Sequence, residues 1–130
     1  MSKLLERLRD PVRSGVYRVK ASGAIDEVMP RAVQIDLKSG DALRAMAQAL
    51  RFPDWFGGNW DALEDCLADL SGENHVLVFR NWHAISSDDL GVLIDVLRST
   101  AEYWSGRGKP FFAVLVDPDK KLALPPLHRE

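Results

Sequence analysis

The absences in this sequence narrow the field before any motif does. There is one cysteine, Cys66, in 130 residues. No internal disulfide can form, and a reducing compartment, the cytoplasm, is the expected location. No apolar run approaches the roughly 18 residues that cross a bilayer. The opening MSKLLERLRD alternates charged and apolar residues and lacks the apolar core and cleavage site of a secretory leader. His75, His83 and His128 are too scattered for metal-ligand spacing, and a single cysteine adds no second anchor. There is no P-loop, G-x-G-x-x-G or G-x-S-x-G. On these grounds no metal, cofactor or catalytic group is expected.

The sharpest absence is local. From Phe52 to Phe79 the sequence has no lysine or arginine, while six acids occur there: Asp54, Asp61, Glu64, Asp65, Asp69 and Glu73. The segment carries −6 in a chain whose net charge is −2, so the remainder is +4. A concentrated negative patch repels phosphate, which argues against nucleic acid as the direct ligand. It suits a basic partner instead.

What is present describes an ordinary globular chain, 46% apolar and 28% charged, most simply one domain. No repeat or low-complexity tract appears. The first ten residues read as a short helix ending before Pro11, and SGVYRVKASG as a strand bounded by glycines. RAVQIDL (31–37) has the β-branched alternation of a strand. A helix follows, with Ser39 as its expected N-cap and Leu43, Met46, Ala47 and Leu50 on one face. Pro53 and Gly57-Gly58 interrupt the chain. Asn59 then caps a second helix, 60–70, with Leu63, Cys66, Leu67 and Leu70 as its apolar stripe. HVLVFRN (75–81) reads as a strand buried on both faces. Ser86 and Asp89 open a third helix in a capping-box pattern, with Ile85 and Leu90 as a hydrophobic staple. Its stripe, Leu90, Leu93, Ile94, Leu97, Ala101 and Trp104, runs to the glycines of SGRGKP, which read as a C-cap and turn. FFAVLVD (111–117) is a last buried strand, and PDKKLALPPLHRE an irregular appendix. Strand, two helices, strand, helix, strand predicts an α/β fold with right-handed crossovers. The sheet is expected to be small and parallel, of about three strands, with Val16–Val19 as a candidate added edge strand.

On a helical wheel with Leu63 at the core, Asp61 and Asp65 fall at about 180°, one turn apart and pointing outward. Glu64 and Ala68 flank them on one side and Asp69 on the other. Ala68 is small enough to admit another surface. Trp55, Phe56 and Trp60 crowd around Gly57-Gly58, and at least one ring is expected to face outward beside the acids. Aromatic anchors in a charged setting are what protein–protein hot spots favour.

The stretch PDWFGGNWDALEDCL resembles the signature of the barstar family, intracellular inhibitors of the bacterial ribonuclease barnase. Pro53, Gly57, Asn59, Asp61, Ala62, Leu63, Asp65, Cys66 and Leu67 match its pattern in unbroken register. VLVFRNW (76–82) is similar to the family's second sheet strand, and FFAVLVD stands where its last strand falls. The resemblance covers roughly residues 31–117, leaving 1–30 as an N-terminal extension and 118–130 as a tail. It implies a single α/β domain with a small parallel sheet, whose first-to-second helix loop and second helix plug the nuclease cleft. Asp65 would take the cationic pocket meant for the substrate phosphate, and Asp61 would meet the basic rim. Trp55 would pack against the active-site histidine, with Asn59 and Trp60 touching the partner. Asp54, Gly57, Gly58, Glu64 and Ala68 complete the implied surface. The implied partner is a basic extracellular-type ribonuclease or nuclease toxin, met by an immunity-type protein that is a monomer when free. Two positions depart from the pattern: Glu64 replaces an aromatic and Trp60 an aliphatic residue. The acid supplied by the family's last helix aligns near Ser99, with Glu102 the nearest acid.

Two other readings of the acidic helix stay open. One is a metal-dependent hydrolase in which Asp61 and Asp65, with Glu64, hold Mg²⁺. The other is an interaction module of the same fold with a partner that is not a nuclease.

Overall fold

A computed structural model describes residues 2–53 and 56–128. Asp54 and Trp55, both implied partner-binding residues, lie outside the described residues. The elements in order are α1 (Lys3–Leu8), a 3₁₀ turn (Pro11–Arg13), β1 (Gly15–Val19), α2 (Gly23–Val28), β2 (Val33–Asp36), α3 (Ala42–Ala49) and α4 (Trp60–Ala68). They continue with β3 (His75–Arg80), a second 3₁₀ turn (Trp82–Ala84), α5 (Ser87–Ser105) and β4 (Phe111–Val116).

The four strands form one parallel sheet in the order β1-β4-β3-β2. The fold is α/β as expected, and the N-terminal strand is the fourth member, on the β4 side. The central strands β3 and β4 are buried along nearly their whole length, which is why they read as continuous apolar runs: both faces are covered. One face carries α3, α4 and α5, with Ile35, Met46, Leu63, Leu67, Phe79, Leu97, Trp104 and Phe111 in its core. On the other face Leu8 of α1 and Ile25 of α2 pack over Val19, Val76, Val78, Phe112 and Val114. Among the described residues no helix is long and apolar enough to cross a membrane.

Three local expectations need correction. The N-cap of α3 is Asp41, whose carboxylate accepts from the Arg44 N–H at 3.0 Å. Ser39 stands two residues upstream, where its hydroxyl accepts from the Asp41 N–H. Residues 23–28, read as no element, form a six-residue helix that buries only Ile25, too short for a 3.6-residue period to show. The segment after β4 is irregular but not an appendix: Leu124 and Leu127 are both buried.

Candidate partner-binding surface

The surface is built on α4, and both ends of that helix are fixed. At the N-terminus the Asn59 side chain accepts from the Ala62 N–H at 2.8 Å, with extended backbone at the cap position. This satisfies one of the four donors that a helix start leaves open. Just ahead, Gly58 has φ of +67°, a left-handed conformation that a side chain would strain. At Gly57 a Cβ would come to 3.4 Å from the Asn59 side-chain amide nitrogen, the near end of ordinary contact. At the C-terminal end the buried Trp104 indole of α5 donates to the Leu67 carbonyl at 3.0 Å. That bond occupies one of the carbonyls the last turn leaves unpaired. Leu63 and Leu67 are fully buried, and Cys66 nearly so. Burying a leucine side chain contributes about 2 kcal/mol, so these residues hold the register of the helix against the sheet.

The opposite face follows from that register. Asp61, Glu64, Asp65 and Asp69 are exposed, and Ala68 is half-buried. Asp61 and Asp65 thus stand one turn apart on the side away from Leu63 and Leu67, as the wheel predicts. Among the described residues no Lys, Arg or His side chain forms an ion pair with Asp61, Glu64 or Asp65. Asp61 lies in the first turn, where the helix dipole favours an anion. The acids act on their neighbour Cys66: burial first, then the charges of Asp65 and Asp69, push its thiol above the ordinary cysteine range. A thiol held protonated in this way is a poor nucleophile.

Of the three aromatic residues expected around the glycines, Trp55 lies outside the described residues. Phe56 and Trp60 are half-buried and pack against the helix-covered core, and the Phe56 ring meets Phe52 at 5.1 Å. They anchor the loop more than they decorate it. The loop is tied by the Phe56 N–H donating to the Pro53 carbonyl and the Phe52 N–H donating to the Ala47 carbonyl. Gly57, Gly58 and Asn59 are exposed beside the acids. The position on the last helix where the family supplies an acid carries none here. Ser99 is exposed, and Glu102 lies on the flank of α5 that meets β1, in a groove with Val12 and Tyr17.

The Trp104–Leu67 bond is a positioning contact that sequence reading did not find. Trp104 appears in the sequence only as one more apolar stripe residue, and nothing local signals that its indole reaches another helix. Among the described residues no group of three His, Cys, Asp or Glu side chains is placed to hold a metal ion.

Comparison with known proteins bears on the same span. No curated protein matches the sequence. The family model described as Barstar (barnase inhibitor) matches residues 33–116, about two-thirds of the chain. That span runs from the first residue of β2 to the last of β4 and includes all of α4. The chain belongs to the barstar family.

Proposed function

We propose that this chain is an intracellular, stoichiometric inhibitor of a barnase-type ribonuclease that blocks the enzyme's basic cleft with α4 and the loop before it. The observation that carries the reading is the pair Asp61 and Asp65, exposed one turn apart with no cation among the described residues paired to either. A ribonuclease cleft concentrates Arg, Lys and His to hold phosphates. Carboxylates fixed on a rigid helix can accept the charge-assisted, bidentate hydrogen bonds meant for those phosphates. The lack of cations between residues 52 and 79 fits the same role, since a lysine there would repel the enzyme.

In this reading Asp65 fills the phosphate pocket and Asp61 the basic rim. Asn59, Gly57 and Gly58 bring the loop backbone close, and Asp54 and Trp55, which precede them in the sequence, are assigned contacts by the family resemblance alone. Ala68 allows close approach. Glu64 adds a third acid where the family has an aromatic ring, which shifts the preferred enzyme toward a more basic rim. Trp60 supports the helix start from below. The inhibitor has no chemistry of its own and acts by steric and electrostatic occlusion. Its negative patch also steers encounter, an effect that salt screens.

The test is a titration of the chain into a barnase-type ribonuclease, following RNA cleavage at low and moderate ionic strength. Inhibition that saturates at one inhibitor per enzyme and weakens with salt is the expected outcome. A correctly folded chain that leaves cleavage untouched at both salt concentrations overturns the proposal.

A further inference from the structure

The two edges of the sheet are treated differently. β2 is only four residues long, follows Pro30 and Arg31, and ends at exposed Asp36, with exposed Lys38 in the turn beyond it. Short length, proline and charge are the usual protections of an open edge. β1 has little of this. It is the glycine-led segment Gly15–Val19, with Arg18 as its one charge. An edge of that kind is a template for pairing with another strand.

What covers it is the chain after β4. The buried Asp117 carboxylate accepts from the Lys121 and Leu122 N–H groups at 3.1 and 2.8 Å, turning the backbone around. The chain then runs parallel to β1. The Arg18 N–H donates to the Pro125 carbonyl at 2.9 Å, and the Leu127 N–H donates to the Arg18 carbonyl at 3.0 Å. The Arg18 Nε donates to the Leu124 carbonyl at 3.1 Å. Leu124 is buried in the core under α3, α4 and α5, and Leu127 in the core under α1 and α2. The segment therefore straddles the sheet edge with one leucine on each face. Between them Pro125 and Pro126 have no N–H, so the strap presents little for another strand to pair with.

Only part of the edge is covered. Backbone groups of alternate strand residues point to the same side, so the Val16 N–H and C=O face outward as those of Arg18 do, while the Val16 side chain is buried in the core under α3, α4 and α5. The edge there opens onto a groove of about 540 Å³ lined by Val12, Tyr17, Pro125, Arg98 and Glu102. Val12 is 84% exposed. The groove holds one cation and one anion, which a two-fold axis can pair reciprocally.

We propose that residues 122–127 are a strap that keeps β1 from pairing with β1 of a second copy, and that its release produces a two-fold, edge-to-edge dimer centred on Val16. In an antiparallel pairing about Val16, Ser14 of one copy lies opposite Arg18 of the other. The strap fills that lane, so the strapped chain and the dimer exclude each other.

The experiment compares the full chain with a chain ending at Lys121, by light scattering across a concentration series, with circular dichroism to verify the fold. The full chain is expected to keep the monomer mass, and the shortened chain to double it. Arg18→Pro in the shortened chain removes an outward N–H without disturbing the β4 side, and should restore the monomer. A folded shortened chain that stays monomeric overturns the proposal, as does a dimer indifferent to Arg18→Pro or a full chain already paired through β1. If the shortened chain does not fold, Leu127→Ser in the full chain loosens the strap alone and decides the matter by the same mass measurement.

Discussion

Two groups of exposed acids in this molecule have opposite fates. Asp26 and Asp36 stand on α2 and β2, and neighbouring elements bring donors to both. Arg80, at the end of β3, donates to the Ser22 hydroxyl and the Gln34 side-chain carbonyl and lies 3.6 Å from Asp26. Gln34 in turn donates to Asp26 at 3.0 Å. Asp36 accepts from the Asn81 amide at 2.8 Å and the Lys38 N–H at 2.9 Å. The Asn81 bond first, then the Lys38 N–H, hold the Asp36 carboxyl below its usual range. Asp61, Glu64 and Asp65 on α4 have no such partners among the described residues. The difference lies in what each set is left able to bind. Carboxylates used by the fold have their lone pairs filled from within, whereas those of α4 are left open among the described residues, as the proposed function requires.

Substitutions can break this contrast at either end. The largest effect is expected on the α4 side: Asp65→Ala should weaken binding to the nuclease by at least about 2 kcal/mol, roughly 30-fold, as at an interface hot spot. Asp61→Ala should cost less. Both should leave the melting temperature nearly unchanged, because neither side chain touches the core, and inhibition assays beside thermal melts would show it. Arg80→Met is expected to do the reverse. By stranding Asp26, Ser22 and Gln34 it should lower unfolding stability in urea by about 1–2 kcal/mol, with inhibition intact. Asn59→Ala sits between the two. Losing the cap should cost about 1 kcal/mol of stability and also loosen the helix that carries the acids, so both readouts should move.

The smallest effect concerns pH. Because the folded state lowers the Asp36 pKa below 3.8, it binds fewer protons there than the unfolded chain does. The stabilisation is present above that value and fades as pH falls through the lower folded one. Wild type should therefore exceed Asp36→Asn in stability at neutral pH, and the gap should close in acid melts. An unchanged gap at pH 2 would mean that the Asn81 bond does not depend on ionisation.

The same contrast marks how far the sequence could be read. α4, α5, β3 and β4 were legible because each buries a regular stripe or a continuous run, and periodicity reports burial directly. The outward placement of Asp61 and Asp65 followed from that register alone. The network around Arg80 left no local trace, since its members come from positions 22, 26, 34, 36, 80 and 81. The inward turn of Phe56 and Trp60 was equally hidden: an aromatic beside glycines reads the same whether it plugs a core or faces solvent. Leu124 and Leu127 escaped notice because a segment that straddles a sheet edge has neither a helical nor a strand period.

The place of β1 in the sheet has a consequence for how the chain folds. Gly15 aligns with Phe112 and Val19 with Val116, so the first strand pairs with the last. Loop closure over that separation costs entropy that is recovered only when both strands are present, which makes such contacts late and folding slow. During synthesis Leu8, Val19 and Ile25 emerge well before their cover on β4. Docking of residues 2–28 is therefore expected as the final step, after the span from β2 to β4 has assembled. Until then those apolar side chains have no native partner on the sheet.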